Sequence, residues 1–89
     1  MSEEQETLLE FPCDFPIKVM GPNTQEFASL VVSLARRHAP DLADDSITTR
    51  ESRNGTYQSV TLTVRATSRE QLDAIYYDIT ACEQVMMAL

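Results

Sequence analysis

Apolar and polar positions alternate without a break from Ser59 to Ala66. Val60, Leu62, Val64 and Ala66 share one side, and Ser59, Thr61, Thr63 and Arg65 the other. A period of two is that of a strand with one face buried and one face solvated. Just before it, Asn54-Gly55 offers the residue pair favoured in a type I′ turn, which predicts a hairpin to a preceding strand. Just after it, Ser68 stands as a helix N-cap with Gln71 three positions on. In such a capping box the hydroxyl accepts the Gln71 amide hydrogen while the Gln71 side chain reaches back. Leu72, Ile75, Tyr76, Ile79 and Cys82 then recur at helical spacing and give one apolar stripe.

The first half repeats the scheme. Phe15 to Met20 is rich in strand formers and ends at Gly21-Pro22, a pair that marks a turn. Asn23 is placed to cap the next helix with Glu26 at its third position, and Phe27, Leu30, Val31, Leu34 and Ala35 form its buried stripe. Pro40 restricts Ala39 to extended geometry, so the helix is expected to stop near His38. Arg36, Arg37 and His38 then fall in the last turn, where positive charge suits the helix dipole. Asp41 to Asp45 reads as an acidic link. Ile47, Thr48 and Thr49 open a strand whose Arg50, Glu51 and Arg53 mark a solvent-facing edge. Val85 to Leu89, wholly apolar, reads as a final strand.

The order is strand, helix, strand, strand, helix, strand. Two split units with right-handed crossovers give the α+β ferredoxin-like βαββαβ sandwich, a four-stranded antiparallel sheet with both helices on one face. The first and third strands are central in that topology. Residues 1–10 are expected to form an acidic, flexible N-terminal arm and residues 11–89 a single domain, since a chain of 89 residues has surface enough to bury for one core.

Charge sharpens this division. Of the formal net charge of −7, much lies in Glu3, Glu4, Glu6, Glu10 and Asp14, with no basic residue among them. Such a chain repels phosphate backbones, which argues against nonspecific binding of nucleic acid or of an anionic membrane. No stretch is long and apolar enough to span a bilayer, and the acidic start lacks the features of a secretory signal, so a cytoplasmic location is expected.

Candidate chemistry is sparse. Cys13 and Cys82 are far apart and without metal-ligand spacing, and read as free thiols, Cys82 as a small core hydrophobe. His38, the sole histidine, is expected to cap a carbonyl or pack at the core edge. Tyr57 reads as a strand anchor beside the hairpin and Tyr76 as packed under the second helix. No cofactor, metal or catalytic set is expected.

Leu9-Glu10-Phe11-Pro12 leading to Lys18-Val19-Met20-Gly21, the helix end Arg37-His38-Ala39-Pro40, Gly55 with Tyr57 and Ser59-Val60, and the closing Val85 to Leu89 carry a further signal. In these residues the chain resembles the YbeD-like proteins (UPF0250), small bacterial proteins of unknown function. The resemblance runs from Leu8 over nearly the whole chain. It implies the same ferredoxin-like fold and a kinship of shape with ACT domains, regulatory modules that bind amino acids or other small effectors. It also implies a genomic association with lipoate biosynthesis, and it brings no established catalytic residues.

Three functions compete. The first is an ACT-like regulatory or interaction module that binds a small effector or a protein partner and acts as a dimer. The resemblance would place a carboxylate effector at the first strand-to-helix turn, on Gly21, Asn23 and Thr24; the plainer alternative is that Gly21 only makes the turn. A homodimer would pair the edge formed by Val85, Met87 and Leu89, unless Leu8, Leu9 and Phe11 cover it. The second is RNA binding on the open sheet face, which the lack of an aromatic stack disfavours. The third is catalysis, for which no poised acid or base is evident.

Overall fold

The computed structural model describes residues 10–89. Residues 1–9, with most of the expected arm and with Leu8 and Leu9, lie outside the described residues. The elements are β1 (Cys13–Pro22), α1 (Gln25–Arg36), β2 (Ile47–Glu51), β3 (Tyr57–Ala66), α2 (Arg69–Thr80) and β4 (Met87–Ala88), with a short 3-10 turn at Asp44–Ser46 before β2. The strands form one antiparallel sheet in the order β2-β3-β1-β4. The ferredoxin-like arrangement is thus observed, with β1 and β3 central.

The alternation in β3 does what its period implies. Val60, Leu62, Val64 and Ala66 are buried beneath the helices with Ile17 and Val19 of β1. Phe27, Val31, Leu34 and Ala35 of α1 and Leu72, Ile75 and Ile79 of α2 close the core from above, and Ala39 and Leu42 plug one end. Leu30, Tyr76 and Cys82 pack at the margin of this cluster, as does Phe11. Both cysteines are free and partly buried.

Strand β1 is longer than expected, because Gly21-Pro22 continues the ladder against Tyr57 and Gln58. It also holds Pro16, opposite Thr63, although proline seldom sits in a central strand. The register explains the exception. Lys18 exchanges both backbone bonds with Leu89 of the β4 segment, at 3.2 and 2.8 Å. Pro16 has the same parity, so its nitrogen points to the β4 side at a level that β4 does not reach. Among the described residues, no ladder bond is lost there.

Three local expectations need correction, those for the cap and the end of α1 and for the hairpin turn. The cap of α1 is Thr24, whose hydroxyl accepts the Phe27 amide hydrogen at 3.1 Å, and Asn23 instead donates its side-chain N–H to the Gly55 carbonyl at 3.0 Å. Helix α1 ends at Arg36, two residues early. The acidic link is folded by Arg36, which donates twice to the Leu42 carbonyl and once to Asp44, and so ties a loop around the buried Leu42 side chain. The hairpin is not type I′, which would need positive φ at Asn54. Only Gly55 has one, at 73°. Gly55 closes a turn onto the Ser52 carbonyl at 3.0 Å, and Ser52 and Tyr57 then resume the ladder.

The Ser68 cap forms as expected, at 3.1 Å from the Gln71 amide. The Gln71 side chain reaches back one residue further, accepting from Thr67 N–H at 2.7 Å, and donates to the His38 carbonyl at 2.8 Å. It therefore joins the start of α2 to the end of α1.

At the other end of α2, the Tyr76 hydroxyl donates to the Leu89 carbonyl at 2.9 Å and holds the β4 segment down. Burial pushes the Tyr76 phenol above its ordinary value. The folded chain therefore keeps this proton longer than the unfolded chain does. The stabilisation is complete below the unfolded value near 10.0 and is lost as pH rises through the folded one. Tyr76→Phe should cost about 1 kcal/mol and speed hydrogen exchange at Met86 and Leu89 relative to β3. Unaltered exchange there would mean that the hydroxyl does not secure β4.

Candidate functional site

The three residues expected to meet an effector do come together, at the β1–α1 turn. Their polar groups are engaged within the chain: the Asn23 side chain with Gly55, the Thr24 hydroxyl with Phe27, and the Pro22 and Thr24 carbonyls with the Gln58 amide at 3.2 and 2.7 Å. Gly21 faces the ring of Phe27. A Cβ at this position would overlap Cζ and Cε1 of the ring and lie 2.8 Å from Cε2. The glycine thus makes room for a core side chain.

His38 is partly buried, and its ring pairs with a carboxylate where a carbonyl was expected. Its Nε2 lies 2.7 Å from the Asp78 carboxylate on α2, with Arg37 at 3.9 Å on the same oxygen. Together with Gln71, this pair fastens the end of α1 to α2. It does not line the concavities beside α1 or on the sheet face. Among the described residues, no three His, Cys, Asp or Glu side chains gather as a metal ion would require.

The edge strand expected over Val85 to Leu89 is only Met87–Ala88 by its ladder, although Met86 and Leu89 also bond to β1. Met86, Met87 and Leu89 are 60%, 51% and 63% exposed, and Val85 is partly buried against the core. Because Lys18 and Leu89 form a hydrogen-bonded pair, the intervening Ala88 turns its amide and carbonyl to the outer edge.

The cross-strand register assembles the face of the sheet away from the helices. Arg50 stands opposite Ser59, Ser59 opposite Met20, and Met20 opposite Met87, one row across all four strands. In the next row, Thr48, Thr61, Lys18 and Leu89 follow. Tyr57 is the one ring at these central positions, at the first residue of β3. A shallow hollow of about 150 Å³ lies between Lys18, Arg50, Met20, Tyr57 and Ser59. Among the described residues, Lys18 and Arg50 have no ion-pair partner, whereas Arg65 further along pairs with Asp14 at 3.3 Å.

A larger open groove of about 630 Å³ runs between α1 and the start of β2, lined by Ala28, Val32 and Ile47 and closed by the Arg36–Asp44 pair. It exists because α1 leaves the helix-side face of β2 uncovered. Among the described residues, no helix is long and apolar enough to cross a membrane.

Residues 6–89 match the family model described as "Protein of unknown function (DUF493)". The chain is 47% identical to a UPF0250 protein of Chromobacterium violaceum over 89 residues, covering all of both chains. It is also 47% identical to one of Nitrosomonas europaea over 85 residues, covering 96% of this chain and 98% of the relative. The solution structure of protein HP0495 from H. pylori superposes with a TM-score of 0.70, at 15% identity, over 91% of this chain and 85% of that one. At that identity it shows the shared fold alone. The chain therefore belongs to the UPF0250 (DUF493) family, whose members are proteins of unknown function.

Proposed function

We propose that the protein is a non-catalytic regulatory or interaction module, ACT-like in kind, in which two copies join their sheets edge to edge at β4. The observation that carries this reading is the β4 edge itself. Exposed Met86, Met87 and Leu89 flank an outward-facing Ala88 backbone, and no charged residue occurs from Val85 to Leu89. Proteins normally blunt a free edge with charge, proline or a cover. Here the edge lacks charge and proline, although the chain as a whole carries −7. A second copy related by a two-fold axis presents the same apolar row, and antiparallel pairing sets Ala88 against its counterpart with no like charges opposed.

The experiment is light scattering after size exclusion across a range of concentrations. The expected mass is that of two chains. Ala88→Pro removes the outward N–H while the Lys18–Leu89 bonds remain, and should give one-chain mass with the fold intact. Met87→Glu brings two carboxylates to diagonal positions across the axis, roughly 8 Å apart, and should do the same. A one-chain mass for the unaltered protein at every concentration would overturn the reading.

A further inference from the structure

We propose that the open face of the sheet holds a site for a small amphiphilic carboxylate, with its head between Lys18 and Arg50 and its apolar end over Met20 and Met87. The cross-strand register carries the argument. Arg50 and Lys18 stand two strands apart and two residues out of row. With about 4.8 Å between strands and about 3.3 Å per residue, their Cα atoms are roughly 12 Å apart. Both long side chains can close on one anion held over Ser59 and Thr61.

Charge selects the ligand's sign. Glu51 touches the rim of the hollow, but alternation sends its side chain to the other face with its ladder partner Gln58, whose amide is bound to Pro22 and Thr24. Asp14 lies at the far end of β1, paired with Arg65. Within an acidic chain, the floor of this hollow therefore carries two cations and, among the described residues, no carboxylate side chain. Such a floor favours an anion over a zwitterion or a cation. Arginine adds a planar fork that matches a carboxylate.

Size and shape select the rest. The hollow holds about 150 Å³, the liquid volume of about five waters and well under the roughly 300 Å³ of the smallest drug-sized pockets. Met20 lines it and Met87 stands beside Met20 in the neighbouring strand, flexible side chains that adapt to a short alkyl chain. This site is separate from the β1–α1 turn and does not rest on the pairing of copies.

The test is an NMR titration of the full chain with hexanoate, set beside acetate, inorganic phosphate and hexylammonium. Hexanoate should shift the amides of Lys18, Met20, Arg50 and Ser59. Acetate and phosphate should bind about tenfold more weakly, for want of the apolar contact, and hexylammonium should leave these amides unmoved. Lys18→Glu and Arg50→Glu, both at exposed positions, should each weaken hexanoate binding about tenfold or more with the melting temperature unchanged. Equal binding of hexylammonium, or of phosphate, would overturn the proposal. So would shifts confined to Gly21, Asn23 and Thr24. Repeating the titration on Ala88→Pro separates this site from dimer formation, because hexanoate should bind that variant as well.

Discussion

Gly21→Ala should lower stability by about 3 kcal/mol, at the upper end of the cost of overpacking a tight core. The cause is the Phe27 ring, which is fully buried and occupies the space where the new methyl would stand. A flexible chain end could swing away, but an aromatic ring held between β1, α1 and the core has nowhere to go. Backbone conformation plays no part, since Gly21 lacks the positive φ seen at Gly55. Phe27→Ala alone should cost about 3 to 5 kcal/mol through lost burial and the cavity left behind. The double variant should be far less destabilised than the sum, because a methyl at 21 then enters vacated space. Denaturant melts of the four proteins measure that coupling. Additive effects would show that Gly21 is required for some reason other than room for the ring.

Gln58→Leu should cost about 2 kcal/mol although it places an apolar residue at a buried position. Gln58 is only 6% exposed, and its amide donates to the Pro22 and Thr24 carbonyls, which turn inward where β1 hands over to α1. Leucine of similar volume removes both side-chain bonds, each worth about 1 kcal/mol, although the Pro22 carbonyl keeps the Thr24 amide at 2.9 Å and the Thr24 carbonyl a longer contact of 3.5 Å with the Ala28 amide. Asn at 58 keeps the amide but shortens its reach, so Gln58→Asn should fall between the wild type and leucine. Thermal melts of the two variants give the ranking. Equal stability of Gln58→Leu and the wild type would mean that the turn is held by Thr24 and Asn23 alone.

These two residues show where sequence reading succeeds and where it stops. The β3 alternation, the Ser68 cap and the apolar stripes of both helices are local patterns, and each appears in the structure because one face of each element must be buried. Gln58 was in principle visible too, since it falls in phase with Val60, Leu62 and Val64 and so announces a polar group on the buried face. The cap of α1 was not visible. Asn23 and Thr24 are both good caps, and the choice is made by the Gly55 carbonyl, 32 residues away, which takes the Asn23 side chain. The same holds for His38 and Asp78, 40 residues apart, and for the row of Arg50, Ser59, Met20 and Met87, which exists only once the strands are in register. The Gly21 turn looked like a place for a ligand to approach the backbone. It is the approach of Phe27 that needs the missing side chain.

The pairing of β1 with β3 also sets a timetable. Its partners range from Pro22 and Tyr57, 35 residues apart (57 − 22), to Cys13 and Ala66, 53 apart (66 − 13). At about 5 to 20 residues per second on the ribosome, β1 waits roughly 2 to 10 s for the strand that covers it. During that interval Phe15, Ile17 and Val19 form the stretch most open to misdirected strand pairing. Asp14, Pro16 and Lys18 interrupt it at every second position, and a proline without its N–H is the residue that most directly spoils such pairing. Pro16 thus guards the nascent chain, at a place in the finished sheet where, among the described residues, its missing donor has no partner to disappoint.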